Sequence, residues 1–204
     1  MLKRLFDLTV SLMILPFLLP FFAITAIAIK LAAPGPVFYR GWRTGLDGKP
    51  FRIFKFRTMV NDAEKIGGPS TALNDPRLTK IGKFLRKYKV DELPQFVNIL
   101  QGKMSVVGPR PQVEGYTKLY DDDEKIILSV KPGLTDYASI KFINLDQVLG
   151  DESVDEKYLK EIEPQKNKLR MKYAKEHSFW IDIKIILMTF MQMLKIQTLW
   201  NIKD

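Results

Sequence analysis

The chain has 204 residues and a formal charge of +9, enough for one domain with a real core and suited to an anionic partner: nucleic acid, a lipid headgroup surface or a phosphorylated substrate. It has no cysteine and a single histidine, His177, which excludes disulfides, thiol nucleophiles and thiolate zinc sites and removes most support for serine-histidine chemistry. Neither a GxxxxGKS/T loop nor a GxGxxG turn occurs, so the common P-loop and dinucleotide routes to phosphate are absent.

From the N-terminus, Lys3 and Arg4 precede an uncharged, almost wholly apolar run over residues 8–29 that ends at Lys30. As a straight helix this run reaches roughly 33 Å, enough to cross a bilayer core. A basic start and the Ala26-Ile27-Ala28 triplet also fit a cleaved signal, but the run is long for one, and Asp7 and the basic block after Lys30 fit an anchor that stays. Pro16 and Pro20 lie inside the run and each removes a helical N–H, so a bend is expected there. Basic residues flank both ends (Lys3 and Arg4 before; Lys30, Arg40 and Arg43 after), and the positive-inside rule gives no direction for a crossing. A bent hairpin returning to the cytoplasmic face satisfies both flanks; a kinked spanning helix is the alternative.

Pro34, Gly35 and Pro36 punctuate the next stretch, and residues 45–50 read as the turn of a β-hairpin between 37–43 and 51–59. In its second arm, Phe51, Arg52, Ile53, Phe54, Lys55, Phe56 and Arg57 interleave basic and aromatic residues, a pattern that suits a nucleotide diphosphate, single-stranded nucleic acid or simply a strand with solvated charges. Residues 61–80 read as a loop with one helical turn and as a candidate mobile flap. Residues 78–88 set Lys80, Lys83, Arg86 and Lys87 around Ile81, Phe84 and Leu85, which fits a basic helix on an anionic membrane surface or a solvated charged face.

The stretch over 88–111, YKVDELPQFVNILQGKMSVVGPRP, holds the candidate reaction centre. Leu93, Phe96, Val97 and Leu100 recur at helical spacing and Gly102 sits at a left-handed cap, so the spacing predicts a short helix over 92–101 with Asp91 as N-cap and Pro94 in its first turn. Both acids then lie at the positive end of the helix dipole and stay ionised. A carboxylate there can hold a divalent cation or attack phosphorus, although Asp followed by Glu is also ordinary helix-start grammar. Met104 to Val107 reads as a strand leading into Gly108-Pro109-Arg110-Pro111. Its flanking prolines restrict a guanidinium suited to bidentate phosphate contact, or merely to a charged surface turn.

Downstream, the acids Asp121, Asp122, Asp123 and Glu124 formally match a DxD metal motif but read more simply as the first turn of an amphipathic helix. The segment KPGLT at 131–135 reads as a tight turn. Residues 144–176 are strongly charged and helical, with Pro164 marking a break. The last apolar run, 179–200, keeps Asp182, Lys184, Gln192 and Lys195, too polar to span a membrane. It suits an interfacial helix or one packed on the core.

Taken together, KRLFD, KPFRIFKFRTM, DELPQ, GPRP and KPGLT closely resemble the bacterial sugar transferases called small monotopic phosphoglycosyl transferases, over nearly the whole chain. The resemblance implies transfer of a phosphosugar from a UDP-sugar to a polyprenol phosphate, undecaprenyl phosphate, with UMP released. It implies that Asp91 attacks the β-phosphate, that Asp91 and Glu92 share a magnesium ion, and that Lys55, Arg57 and Arg110 steady phosphate charge. It also implies a re-entrant helix broken at a proline matching Pro20. Leu19 stands where many relatives have serine, so Pro16 shares the bend. The segment DYASIKF at 136–142 replaces the glycine-tryptophan and QVxGRN-like pattern of relatives, so the sugar is not carried over.

The expected protein is therefore a helix-rich mixed α/β chain. Residues 1–32 form a re-entrant membrane helix-break-helix, and 33–204 a catalytic domain with a small β-hairpin and interfacial amphipathic helices on the cytoplasmic face of the bacterial inner membrane. Its partners are the UDP-sugar, the polyprenol phosphate and membrane lipids, with no nucleic acid, and no residue pattern assigns an oligomeric state. Two other classes compete: a basic membrane-anchored interaction protein, and a glycosyltransferase using the Asp121 to Asp123 run and releasing UDP.

Overall fold

A computed structural model describes residues 1–68, 70–71, 75–143, 145 and 154–194. The architecture is helix-rich and mixed α/β, with three two-stranded sheets among the described residues. Helix α1, Leu2–Ala32, holds the apolar run, and Pro16 and Pro20 lie inside one continuous helical segment where the sequence predicts an interruption. Each proline forfeits one intrahelical bond but keeps a φ that fits the helix, and the neighbouring bonds carry the segment through.

A stripe of α1 contacts the rest of the chain along its whole length. Phe6, Val10, Ile14, Leu15 and Leu18 pack on the main core, and Phe22 and Ile29 join a second cluster with Phe56 and Leu85. Polar pins fix the register at both ends. Lys3 Nζ donates to Val107 O at 2.9 Å and pairs with Asp182 at 2.5 Å, and Asp7 Oδ1 accepts from Ser105 Oγ at 3.0 Å and Val106 N at 2.9 Å. At the other end Arg57 donates to Ala33 O at 2.7 Å, Pro34 O at 2.6 Å and Asn61 Oδ1 at 2.6 Å.

The hairpin forms, but as two short ladders. Strand β1, Phe38–Tyr39, and strand β4, Lys55–Phe56, pair antiparallel, as do β2, Trp42–Thr44, and β3, Pro50–Arg52. At the break between β3 and β4, the buried Asn98 takes over the backbone: its Oδ1 accepts from Phe54 N at 2.8 Å and its Nδ2 donates to Arg52 O at 2.9 Å. Phe51 and Ile53 enter the main core, whereas Phe56 enters the second cluster. A short helix α2, Ala63–Ile66, supplies the single helical turn of the following loop, and α3, Lys80–Lys87, is capped by Thr79, whose side chain accepts from Gly82 N at 2.9 Å.

Helix α4, Gln95–Leu100, ends at Gly102, whose φ of 74° is the left-handed cap its position predicts. Arg4 reinforces that terminus by donating to Ile99 O at 2.5 Å and Leu100 O at 2.8 Å, a cation at the negative end of the helix dipole. Strand β5, Ser105–Val107, pairs in parallel with β6, Gly133–Thr135, so the KPGLT segment is partly strand rather than only the expected turn. The two strands approach so closely that a Cβ on Gly133 would lie 2.1 Å from Gly108 N, which leaves no room for a side chain.

Helix α5, Glu114–Thr117, lies against β2, and α6, Tyr137–Lys141, against β6; α7, Val154–Lys157, runs through a π-helical turn at Tyr158–Ile162 into α8, Glu163–Glu176. Pro164 therefore sits in the first turn of α8, where its missing N–H costs little, and the irregularity sequence places at Pro164 is the π turn before it. Helix α9, Phe179–Met193, buries Asp182, Ile185 and Met188 while Trp180, Leu187, Phe190 and Met193 stay exposed. One face packs on the core; the other is apolar and open. Lys195 and the rest of the last run lie outside the described residues.

Removing the Asn98 amide leaves one backbone donor and one acceptor without their partner. Asn98→Ala is expected to lower unfolding stability by about 1–3 kcal/mol, read as a drop in the unfolding midpoint of the detergent-solubilised chain. Arg57→Gln is expected to lower the same midpoint, because its contacts are the carbonyls that end α1.

Candidate active site

Asp91 and Glu92 do not start a helix. Lys89 adopts a left-handed φ of 57°, Val90–Glu92 forms a 3-10 turn, and α4 begins only at Gln95 with Pro94 in the N-cap position. The expected helix over 92–101 with Asp91 as its cap is thus corrected. Pro94 has no N–H with which to continue the hydrogen-bond ladder from the turn into α4. Neither acid caps through its side chain, so both carboxylates are available for other work.

They work differently. Glu92 faces two cations: Arg110 grips both its oxygens, with Nη1 to Oε2 at 2.7 Å and Nη2 to Oε1, and Lys55 Nζ reaches Oε1 at 2.9 Å. Burial works against the charge on Glu92, but Arg110 and then Lys55 outweigh it and hold the carboxyl well below the usual range. Among the described residues no donor reaches the Asp91 carboxylate, which is 5% exposed. Burial, and then the neighbouring Glu92 charge, push Asp91 up, against the pull of Lys55, Arg86 and Arg110. Burial also lowers Lys55, with Arg110 adding to the effect and Glu92 opposing it.

These groups line a cavity of about 200 Å³. Its described walls include the basic side chains Arg43, Lys55, Arg86, Lys89, Arg110 and Lys166, against Asp91 and Glu92 as the acids. Such a surplus draws in anions. Gln95 also lines it, and among the described residues its buried Nε2 has no acceptor, a donor suited to a ligand oxygen.

The structure brings together Lys55, Asp91, Glu92 and Arg110 from three separate segments. Arg57 stays out: its guanidinium is committed to Ala33 O, Pro34 O and Asn61, so the basic position expected to bind substrate serves as a tether for α1. Pro16 and Pro20 belong to α1 and not to the site. The Asp121 run is also elsewhere. Asp121 Oδ1 accepts from Glu124 N at 2.7 Å and Glu124 Oε2 accepts from Asp121 N at 3.3 Å, the reciprocal bonding of a helix start.

Among the described residues no cluster of three or more acidic, histidine or cysteine side chains is placed to hold a metal. Of the expected pair of magnesium ligands, Glu92 has both oxygens engaged by cations, and Asp91 is the unbridged carboxylate. One carboxylate fits magnesium when substrate phosphates and water complete the shell. Sequence reading missed Gln95, Tyr116, Tyr158 and Lys166 as wall residues. Gln95 is part of DELPQ and could have been found from it; Lys166 sits in a charged stretch that gives no local signal.

The bacterial sugar transferase family model matches residues 1–196. A UDP-glucose:undecaprenyl-phosphate glucose-1-phosphate transferase of Escherichia coli (strain K12) is 40% identical over 193 residues, covering 93% of this chain and 39% of that protein. An undecaprenyl-phosphate glucose phosphotransferase of Komagataeibacter xylinus is 37% identical, covering 92% of the chain and 35% of its own length. The chain thus spans less than half of those two relatives. An uncharacterized sugar transferase of Bacillus subtilis (strain 168), EpsL, is 36% identical over 95% of the chain and 87% of its own length. The chain belongs to the bacterial sugar transferase family.

Proposed function

We propose that the chain transfers a sugar 1-phosphate from a UDP-sugar to a polyprenol phosphate such as undecaprenyl phosphate, releasing UMP, through an aspartyl-phosphosugar intermediate. The observation that carries this reading is the unbridged, buried Asp91 beside the Arg110-Glu92-Lys55 fork in a strongly basic cavity. The names of the relatives supply the substrate classes. By name one is a glucose-1-phosphate transferase, one a glucose phosphotransferase and another, from Aeromonas hydrophila, an N-acetylgalactosaminephosphotransferase, so the reading is kept at the level of a UDP-sugar.

In the mechanism, an Asp91 oxygen attacks the β-phosphorus, the bond from that phosphorus to the bridging oxygen breaks, and UMP departs with the electron pair. A phosphate oxygen of the lipid then attacks the same phosphorus and returns the carboxylate to Asp91. Arg110 and Lys55, locked by Glu92, stand ready for the phosphate oxygens without reorganising. Gln95 Nε2 adds a neutral donor. A magnesium ion, held by Asp91 and the donor phosphates, would neutralise charge on the diphosphate.

The contact of α1 with the domain along its length supports a helix that enters and leaves on one face, with Met1 and the cavity both cytoplasmic. A spanning helix would carry one of its ends away from the domain. The sequence has no native cysteine, so cysteines introduced at Leu2 and Lys65 report without background. Both are expected to be shielded from an impermeant thiol reagent in intact cells, and opposite labelling would overturn the topology.

The product nucleotide separates the competing classes: UMP for this reading, UDP for a glycosyltransferase, none for an interaction protein. With donor and no lipid acceptor, the enzyme is expected to release at most about one UMP per chain and to gain a phosphosugar mass on the Asp91 peptide, as a double displacement must. Asp91→Asn is expected to keep the fold and lose turnover by orders of magnitude; near-normal turnover in the folded variant sinks the proposal. Glu92→Gln is expected to lose activity that raised magnesium does not restore, since its task is to hold Arg110 and Lys55.

A further inference from the structure

Lys166 lines the same cavity from α8, yet no step above uses it. The residue is 7% exposed, and among the described residues its ammonium has no hydrogen bond or ion pair. The acids around it do not bond to it, although Glu163 keeps one buried oxygen, Oε2, without a partner among the described residues. Glu163 accepts from Arg170 Nη1 at 2.8 Å, Glu92 is taken by Arg110 and Lys55, and Asp136 accepts from Ser139 N at 2.6 Å and Arg110 N at 3.3 Å. What holds Lys166 in place is aromatic: Nζ lies 5.1 Å from the Tyr158 ring centre and 5.7 Å from that of Phe142.

A buried ammonium without an anion is costly, and a lysine that served only the fold would be expected to have one. Here the opposite is built. Burial pushes Lys166 down to about 7, and the nearby cations Arg170 and Arg110 add to that, with Glu163 and Asp136 opposing. Arg110 and Lys166 thus face the cavity as neighbouring like charges, an arrangement that an anion between them would relieve.

We propose that Lys166 is a further phosphate-binding residue, which together with Arg110 and Lys55 makes a cradle for two adjacent phosphates rather than one. Resting on the proposed reaction, this assigns Lys166 to the donor diphosphate: Arg110 and Lys55 flank the phosphorus that Asp91 attacks, and Lys166 takes the neighbouring phosphate, which leaves as UMP. In the second step the lipid phosphate enters opposite Asp91, where UMP has left, and so meets the same cradle. Lys166 is therefore expected to set affinity for the donor diphosphate and to meet the acceptor phosphate in the second step.

The test uses the full chain in detergent micelles with Lys166→Met, which keeps an unbranched stem over the two rings, and Lys166→Arg, which keeps the charge. Inorganic pyrophosphate, titrated calorimetrically, is expected to bind the Met variant roughly 10- to 100-fold more weakly, the loss of one charge-assisted contact, and the Arg variant within a few-fold of wild type. In turnover, the KM for the UDP-sugar is expected to rise by a similar factor in the Met variant. If the Met variant unfolds at a lower temperature, Lys166→Gln replaces it. Unchanged pyrophosphate affinity in a folded variant overturns the proposal, as does a rise confined to the acceptor KM. Because pyrophosphate binding is read without turnover, a wild type that binds it through Lys166 but releases no UMP would refute the proposed reaction and leave this site standing.

Discussion

A carboxylate buried as deeply as Glu92 stays charged only if cations and hydrogen bonds replace the water it has lost. Glu92 takes Lys55 from β4 on one side and Arg110 from the segment after β5 on the other. Three segments that share no continuous sheet are drawn together by that demand: the hairpin, the acid turn and the GPRP stretch. Asn98 repeats the device a few residues on, carrying the broken β3–β4 backbone onto α4. The hairpin is therefore fixed to the acid turn by two polar ties, and the position of Lys55 follows from both.

The same economy places the cavity relative to the apolar helix. Asp7 binds the start of β5, Arg4 closes the end of α4, and Lys3 joins Val107 O to Asp182 of α9. The contacts on β5 and α4 fall on elements that adjoin or contain the cavity residues Arg110 and Gln95, so α1 is registered against the cavity and not merely tethered to it. Phe6 meets Phe179 edge to face at 5.7 Å, which adds a direct contact between α1 and α9. Much of the apolar surface of α1 is exposed, with Leu12, Phe17 and Leu31 open, and apolar surface of this extent fits association with a membrane.

Much of this was legible in the sequence, because local rules governed it. Phe96 and Leu100 gave α4 by their spacing, Gly102 gave its end, and the apolar run gave α1. The acids beside Arg110 gave the heart of the cavity. What escaped was set by distant partners or by single atoms. The missing N–H of Pro94 separated the acid turn from α4, where periodicity read them as one helix. The strand at Gly133–Thr135 exists because β5 lies beside it, and a segment of Pro, Gly and Leu carries no alternation to announce that. Arg57 and Lys55 stand two apart in one basic-aromatic stretch, and only the fold shows that one meets the cavity and the other the carbonyls ending α1.

Adjacent carboxylates on one turn would repel each other if both faced the same surroundings. Here the environments separate them: the cations that Glu92 holds keep it ionised, while Asp91 is left with burial and its neighbour's charge, both of which raise it. A carboxylate without hydrogen bonds is a better nucleophile than one gripped by a guanidinium, because no contact must be broken before it attacks. In the proposed mechanism Glu92 holds Arg110 and Lys55 in place, and Asp91 is left as the attacking carboxylate. The division of labour between two neighbouring acids thus follows from which of them Arg110 reaches, and that is decided by the Pro94 break and the turn before it, which set the two side chains on different bearings.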